Sequence, residues 1–174
     1  MLADLDLKLE QRLHDADEID ARLSKLRERR LDANGDYAGL VDESVALVAR
    51  RQLLQGDIDD LLGRREVAFV QRLRQRAEES RAAYATLVTE QLHPRTSERD
   101  AIDHELRVML NKGVSDPARR EALMTRRAAL QSQLIEVARE VTIAGNVVKR
   151  REASLEEAER DLNLHQAREK VREA

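Results

Sequence analysis

The 174-residue chain contains no cysteine and no tryptophan, and it has only two prolines, six glycines and one phenylalanine. Without cysteine, it can form neither disulfides nor thiolate metal sites, and it has no thiol nucleophile. Aromatic residues are 2% of the sequence, so the large rings that supply much of a compact core are missing. These absences exclude a disulfide scaffold and disfavour an ordinary globular domain.

Long apolar runs and an excess of one charge are missing as well. The longest uninterrupted apolar run, Val45 to Ala49, is far too short for a membrane span, which takes about 20 apolar residues. The first residues have neither the basic nor the apolar region of a secretory signal. The net charge is −3, from 34 acidic and 31 basic residues, so no strong field attracts nucleic acid or anionic lipid. We expect a cytoplasmic protein with no membrane span.

Apolar residues at heptad spacing are the strongest positive signal. Two sets repeat every seven residues, and a third alternates steps of three and four. This spacing keeps one side of a helix against a partner helix and is typical of coiled coils. The three core seams are Leu9, Ala16, Leu23 and Arg30; Leu40, Leu47, Leu54 and Leu61; and Leu130, Leu134, Val137, Val141, Ala144, Val148, Arg151, Leu155, Ala158, Leu162 and His165.

Capping residues predict three helices, at about 2–33, 36–112 and 116–171. Asn34-Gly35 is expected to end the first helix, because glycine readily adopts the left-handed conformation of a helix C-terminus, and Asp36 to cap the second. Lys112-Gly113 is a second stop. Asp116 then caps the last helix and Pro117 takes its first position, where a missing N–H costs nothing.

Pro94 leaves two interpretations open. A proline inside a helix removes a hydrogen bond and clashes with the preceding turn, which favours a break and a separate helix from Glu98 to Lys112. A reversal there would leave most of the last seam without a partner, so we prefer one long helix that is kinked at Pro94. The predicted fold is therefore all-α: a single elongated antiparallel coiled-coil unit over 1–174, whose kinked central helix has an arm folded back at each end.

The short turns also predict the register of each hairpin. Paired residue numbers sum to about 70 in the first hairpin, which sets Leu9 opposite Leu61. They sum to about 228 in the second, which sets Leu155 opposite Leu73 and Tyr84 over Ala144 and Gly145. Adjacent apolar residues broaden the buried face of the central helix around 55–69, where both arms are expected to overlap. Close helix approach is expected at Gly56 and Gly63.

No pattern indicates catalysis or a cofactor. Neither of the phosphate-binding motifs GxGxxG and GxxxxGK[ST] occurs, and no Ser/His/Asp arrangement stands out. Asp100 and His104 are four residues apart, a spacing that can ligate a metal, but two ligands are not a site. We therefore expect a non-enzymatic protein with no metal, no cofactor and no small-molecule substrate.

The candidate partner-binding residues are four arginines at the start of the last helix. Arg119 and Arg126 are seven residues apart, as are Arg120 and Arg127, so the four form one strip, here called the arginine strip. Such a strip can contact phosphates or an acidic partner, although Asp103 and Glu105 across the turn can also neutralise it. The turn from Asn111 to Pro117 is the end at which we expect a partner to bind.

Two functional hypotheses remain. The first is a structural or adaptor protein that forms homodimers or higher oligomers and binds other proteins, for example in the assembly of a larger complex or a secretion apparatus. The second is a nucleic-acid or RNA polymerase accessory factor that uses the arginine strip. Charged helical hairpins occur in secretion-ATPase stalks, phage assembly factors and transcription-factor tips, which is an analogy of architecture and does not assign a function.

Overall fold

A computed structural model describes residues 2–32, 37–113 and 116–173. Four α-helices account for nearly all of them: α1 (Leu2–Asp32), α2 (Tyr37–Thr86), α3 (His93–Asn111) and α4 (Pro117–Glu173). A π-helical segment, Leu87–Leu92, joins α2 to α3. No strand occurs among the described residues, so the all-α prediction is confirmed. The predicted turn and cap at Asn34, Gly35 and Asp36 lie outside the described residues.

The α3–α4 turn follows the predicted capping chemistry. Gly113 has φ +62°, a left-handed conformation that costs other residues about 1–2 kcal/mol. The Lys112 N–H donates to the carbonyl of Val108 at 3.0 Å. Asp116 then accepts a hydrogen bond from the Arg119 backbone N–H at 2.9 Å, and Pro117 opens α4. Val114 lies outside the described residues.

The helix continues through Pro94 instead of reversing. Thr86, Leu92 and His93 all have right-handed helical backbone angles. The His93 N–H donates to the carbonyl of Val88, five residues back, which is the bond of a π-helical turn. The wider turn accommodates a proline that would otherwise clash with the turn before it. The helix of the preferred interpretation therefore contains a π-helical segment just before Pro94.

The contacts divide the chain into two units. Unit 1 comprises Met1–Arg72 with Leu164–Ala174, and unit 2 comprises Leu73–Asn163. In unit 1, α1 and α2 pack antiparallel around a core of buried residues with partly buried leucines beside it. Arg12 pairs with Asp57 at 3.5 Å, which fits the predicted register. The core is Ala16, Ile19, Leu54 and Ile58, flanked by Leu9, Leu23 and Leu47.

The expected overlap of three helices in unit 1 is present in part. His165 of α4 lies 3.7 Å from a carboxylate oxygen of Glu66 on α2. Ala68 and Val70 are both buried although they are two residues apart, so α2 is covered on two sides there. Phe69 remains half exposed, because it lies between those two sides.

In unit 2, α4 packs against α3 and the last part of α2, residues 73–86. Tyr84 lies over Gly145, where a Cβ would come 3.4 Å from the tyrosine ring, as the predicted register requires. Gly56 and Gly63, in the part of α2 that belongs to unit 1, do not fit their prediction. A Cβ at Gly56 or Gly63 would meet nothing within 4 Å, so the expected close approach at these residues is wrong within this chain. The α3–α4 core is Ile102, Leu123 and Leu130, flanked by Leu106 and Met109.

Candidate partner-binding surfaces of unit 2

Three residues of the arginine strip are paired with acids of α3. Arg119 contacts Glu105 at 2.9 Å, Arg126 contacts Glu98 at 2.7 Å, and Arg127 contacts Asp103 at 2.5 Å. All three pairs cross from α4 to α3, so the strip closes the hairpin. It does not present four free cations to a partner.

The Glu98–Arg126 pair shifts the titration of both groups. The hydrogen bond from the Arg126 guanidinium, together with its charge, holds the pKa of Glu98 below its ordinary value. The same hydrogen bond and the Glu98 charge raise the pKa of Arg126. Because the folded pKa of Glu98 is lowered, its contribution to stability is present above the unfolded pKa and is lost as the pH falls through the folded pKa.

We expect the α3–α4 hairpin to be less stable in acid, because protonation of Glu98 weakens this pair. Glu98→Gln should lower the thermal midpoint slightly at pH 7, where the carboxylate is charged, and should have a smaller effect near pH 3, because acid moves the carboxylate towards its protonated form. Circular dichroism melts at both pH values measure this. Glu157→Gln, at an exposed glutamate for which no described ion pair exists, is the control. An equal effect of Glu98→Gln at both pH values would contradict the assignment.

Arg120 is the exception in the strip, because no ion pair involves it among the described residues. Its side chain lines a groove of about 580 Å³ at the α3–α4 turn. We call this the turn groove. Leu110 is 71% exposed at its edge and Met124 is 53% exposed. The lining residues are Leu106, Met109, Leu110, Gly113, Asp116, Pro117, Arg120, Glu121, Met124 and Thr125.

The chemistry of the turn groove suits a mixed ligand. Its apolar walls can cover a leucine-sized or phenylalanine-sized side chain, and ligand pockets combine such walls with a few polar groups that fix orientation. Arg120 can donate two parallel hydrogen bonds to a carboxylate. Asp116 already accepts from the Arg119 N–H, so it is engaged in capping α4. The groove was missed in the sequence, although the doublet Met109-Leu110 signals apolar residues on two sides of α3.

Arg151, a charged residue on a core seam, has hydrogen-bond partners on the facing helix. Its guanidinium donates to the hydroxyl of Ser80 and, at 2.9 Å, to the backbone carbonyl of Arg76. Ser80 is buried and donates in turn to the same carbonyl at 2.7 Å. These bonds form only when Arg151 faces this turn of α2, so they fix the register, as polar groups on a seam can.

The histidines and acids do not form a metal site in the part of the chain described. No group of three or more His, Asp or Glu side chains is placed to hold an ion there. Asp100, the candidate paired with His104 in the sequence, accepts hydrogen bonds from its neighbour Arg99, the shorter at 2.6 Å.

No similarity to a protein-family model, to a curated protein or to a solved structure was found. Within the described residues, none of the helices combines the length and apolarity needed to cross a membrane.

Proposed function

We propose that this chain is a non-enzymatic structural or adaptor protein of the cytoplasm, which binds other proteins and associates with itself. The observation that carries the proposal is apolar surface left uncovered in a chain that is 37% charged. Leu110 and Met124, which line one groove, and Ile135 on α4 are all more than half exposed. Contiguous exposed apolar surface is typical of protein–protein interaction sites.

The turn groove is the binding site that we propose for a protein partner. Its ligand is a short segment that carries a large apolar side chain next to a carboxylate. The apolar side chain packs between Leu110 and Met124, and the carboxylate pairs with Arg120. This places the partner at the turn where the sequence already favoured one, and it retains Arg120 as the contact residue of the arginine strip.

The ion pairs of the arginine strip argue against the nucleic-acid alternative. Phosphate binding by Arg119, Arg126 or Arg127 has to compete with the acid that each guanidinium already contacts on α3. None of the described residues that line the groove has an aromatic ring on which a base could stack. The nucleic-acid hypothesis therefore ranks second.

Fluorescent peptides test the proposed site. A peptide with Leu or Phe beside Asp or Glu should bind, and its versions with Ala for the apolar residue or Lys for the acid should bind at least tenfold more weakly. Leu110→Ser should weaken binding at least tenfold, because interface anchors commonly contribute 2 kcal/mol or more. Arg120→Gln should remove the preference for the acid.

The matched control is Leu53→Ser, which changes an exposed leucine of unit 1 and should leave peptide binding unchanged. Binding that ignores Leu110→Ser and Arg120→Gln would exclude the turn groove. A labelled DNA or RNA oligonucleotide is run in parallel. Oligonucleotide binding that falls steeply with salt and is lost in an Arg119→Ala/Arg120→Ala/Arg126→Ala/Arg127→Ala variant would favour the alternative.

A further inference from the structure

A second line of residues at heptad spacing runs along α4, displaced by one residue, or about 100° around the helix, from the buried core positions. Every one of its residues is exposed, whereas Leu123, Leu130, Leu134 and Val137 face the core. Steps of three and four relate its members, with one step of seven across Gly145, which is partly buried under Tyr84. We call this line the outer seam: Glu121, Met124, Ala128, Gln131, Ile135, Ala138, Thr142 and Lys149.

The outer seam has the length and composition of a helix-pairing surface. It covers four heptads, the length over which apolar heptad positions specify a coiled coil, and four of its eight members are apolar: Met124, Ala128, Ile135 and Ala138. At about 1.5 Å per residue it is roughly 42 Å long. Only its two end residues are charged, in a chain that is 37% charged. Ile135, at its centre, is 63% exposed.

The two charged ends identify what can cover this surface. The seam begins with an acid, Glu121, and ends with a base, Lys149, and neither has an ion pair among the described residues. Ile135 lies midway between them. An antiparallel copy of the same helix, paired about Ile135, therefore brings each glutamate opposite a lysine. A parallel copy would bring glutamate to glutamate and lysine to lysine, which is unfavourable.

We propose that a second copy of this chain packs antiparallel along the outer seam, about a two-fold axis at Ile135. Ala128 and Ala138 let the two helices approach closely. The amide of Gln131 faces Arg139 of the second copy and can accept its hydrogen bond. This inference rests on the self-association included in the proposed function, and it adds the surface, the orientation and the residues that specify both.

Sedimentation of the full chain tests the surface. The wild type should be a dimer at about 10 μM, and Ile135→Glu should raise the dimer dissociation constant at least 50-fold, because it places two carboxylates against each other at the axis. Leu53→Glu changes an apolar residue that is 76% exposed on α2 and should leave the dimer intact. A monomeric wild type would overturn the proposal. So would dissociation by Leu53→Glu with no effect of Ile135→Glu.

Cysteine crosslinking tests the orientation, since the native chain has no cysteine. Glu121→Cys and Lys149→Cys chains should crosslink through a short bis-maleimide when mixed, and neither should form a homodimeric crosslink alone. Ile135→Cys should crosslink with itself. Self-crosslinking of the Glu121→Cys chain would show a parallel pair and overturn the proposal.

The proposals for the outer seam and for the turn groove can be tested separately. Met124 belongs to both the outer seam and the turn groove, so the deciding substitutions are Ile135→Glu and Leu110→Ser, each of which changes one surface. If Ile135→Glu dissociates the dimer while peptide binding is retained, the outer seam is supported as a surface separate from the turn groove. Peptide binding that fails while the dimer persists rejects the groove and leaves the outer seam standing.

Discussion

Replacing Leu130 by alanine is expected to destabilise unit 2 by about 3 kcal/mol, because Leu→Ala in a packed core loses both transfer free energy and the contacts around the new cavity. Leu130 is 1% exposed and is the largest fully buried side chain among the described residues. It belongs to the α3–α4 core together with Ile102 and Leu123. Urea unfolding followed by circular dichroism should show a lower midpoint for the variant.

The control for Leu130 is an exposed leucine of the same hairpin. Leu110→Ala removes the same atoms from a largely exposed side chain, so the free energy of unfolding should change by no more than about 0.5 kcal/mol. Equal effects of the two substitutions would mean that Leu130 is not buried in the folded protein, and would contradict the α3–α4 core.

Enlarging Ala77 is expected to have the second largest effect. Ala77 is fully buried in unit 2, so the extra atoms of Ala77→Leu have no space unless the helices separate. Overpacking of this kind typically costs about 1–3 kcal/mol. Ala83→Leu, on an exposed position of the same helix, is the matched control, since leucine and alanine have similar helix propensities. A stable Ala77→Leu variant would indicate space beside this residue.

The hairpin registers could be read from the sequence because two independent signals agree. The seam leucines say which side of each helix is buried, and the turn residues Gly113, Asp116 and Pro117 say where the chain reverses. Together they leave little freedom in pairing, so Tyr84 was placed over Gly145 correctly. Local capping and long-range burial were consistent in this hairpin.

The π-helical segment before Pro94 could not be predicted in the same way. The sequence shows only that proline disturbs a helix. Whether the chain breaks, bends or widens depends on the burial to be gained on both sides, at Tyr84 and at Ile102. Here the helix is retained, because α4 can then pack against the end of α2 as well as against α3, with Tyr84 over Gly145.

The sequence also could not show which arginines of the strip are paired with acids. Heptad spacing put four arginines in one strip, but spacing does not say which guanidinium meets an acid on the facing helix. Arg126 reaches Glu98, whereas Arg120, six residues earlier, has its side chain in the turn groove. That difference depends on the angle around α4 relative to α3, which only the folded hairpin defines.

The make-up of unit 1 has a consequence for the order of folding during synthesis. Its residues come from two distant stretches, Met1–Arg72 and Leu164–Ala174, whereas unit 2 is one contiguous stretch. At roughly 5–20 residues per second, His165 leaves the ribosome about 5–20 s after its partner Glu66. The α1–α2 core can pack in that interval, but one side of α2 has to wait for a helix that has not yet been made. Unit 2 therefore has all its residues before unit 1 does, so the stretch that is synthesised first belongs to the unit that is completed last.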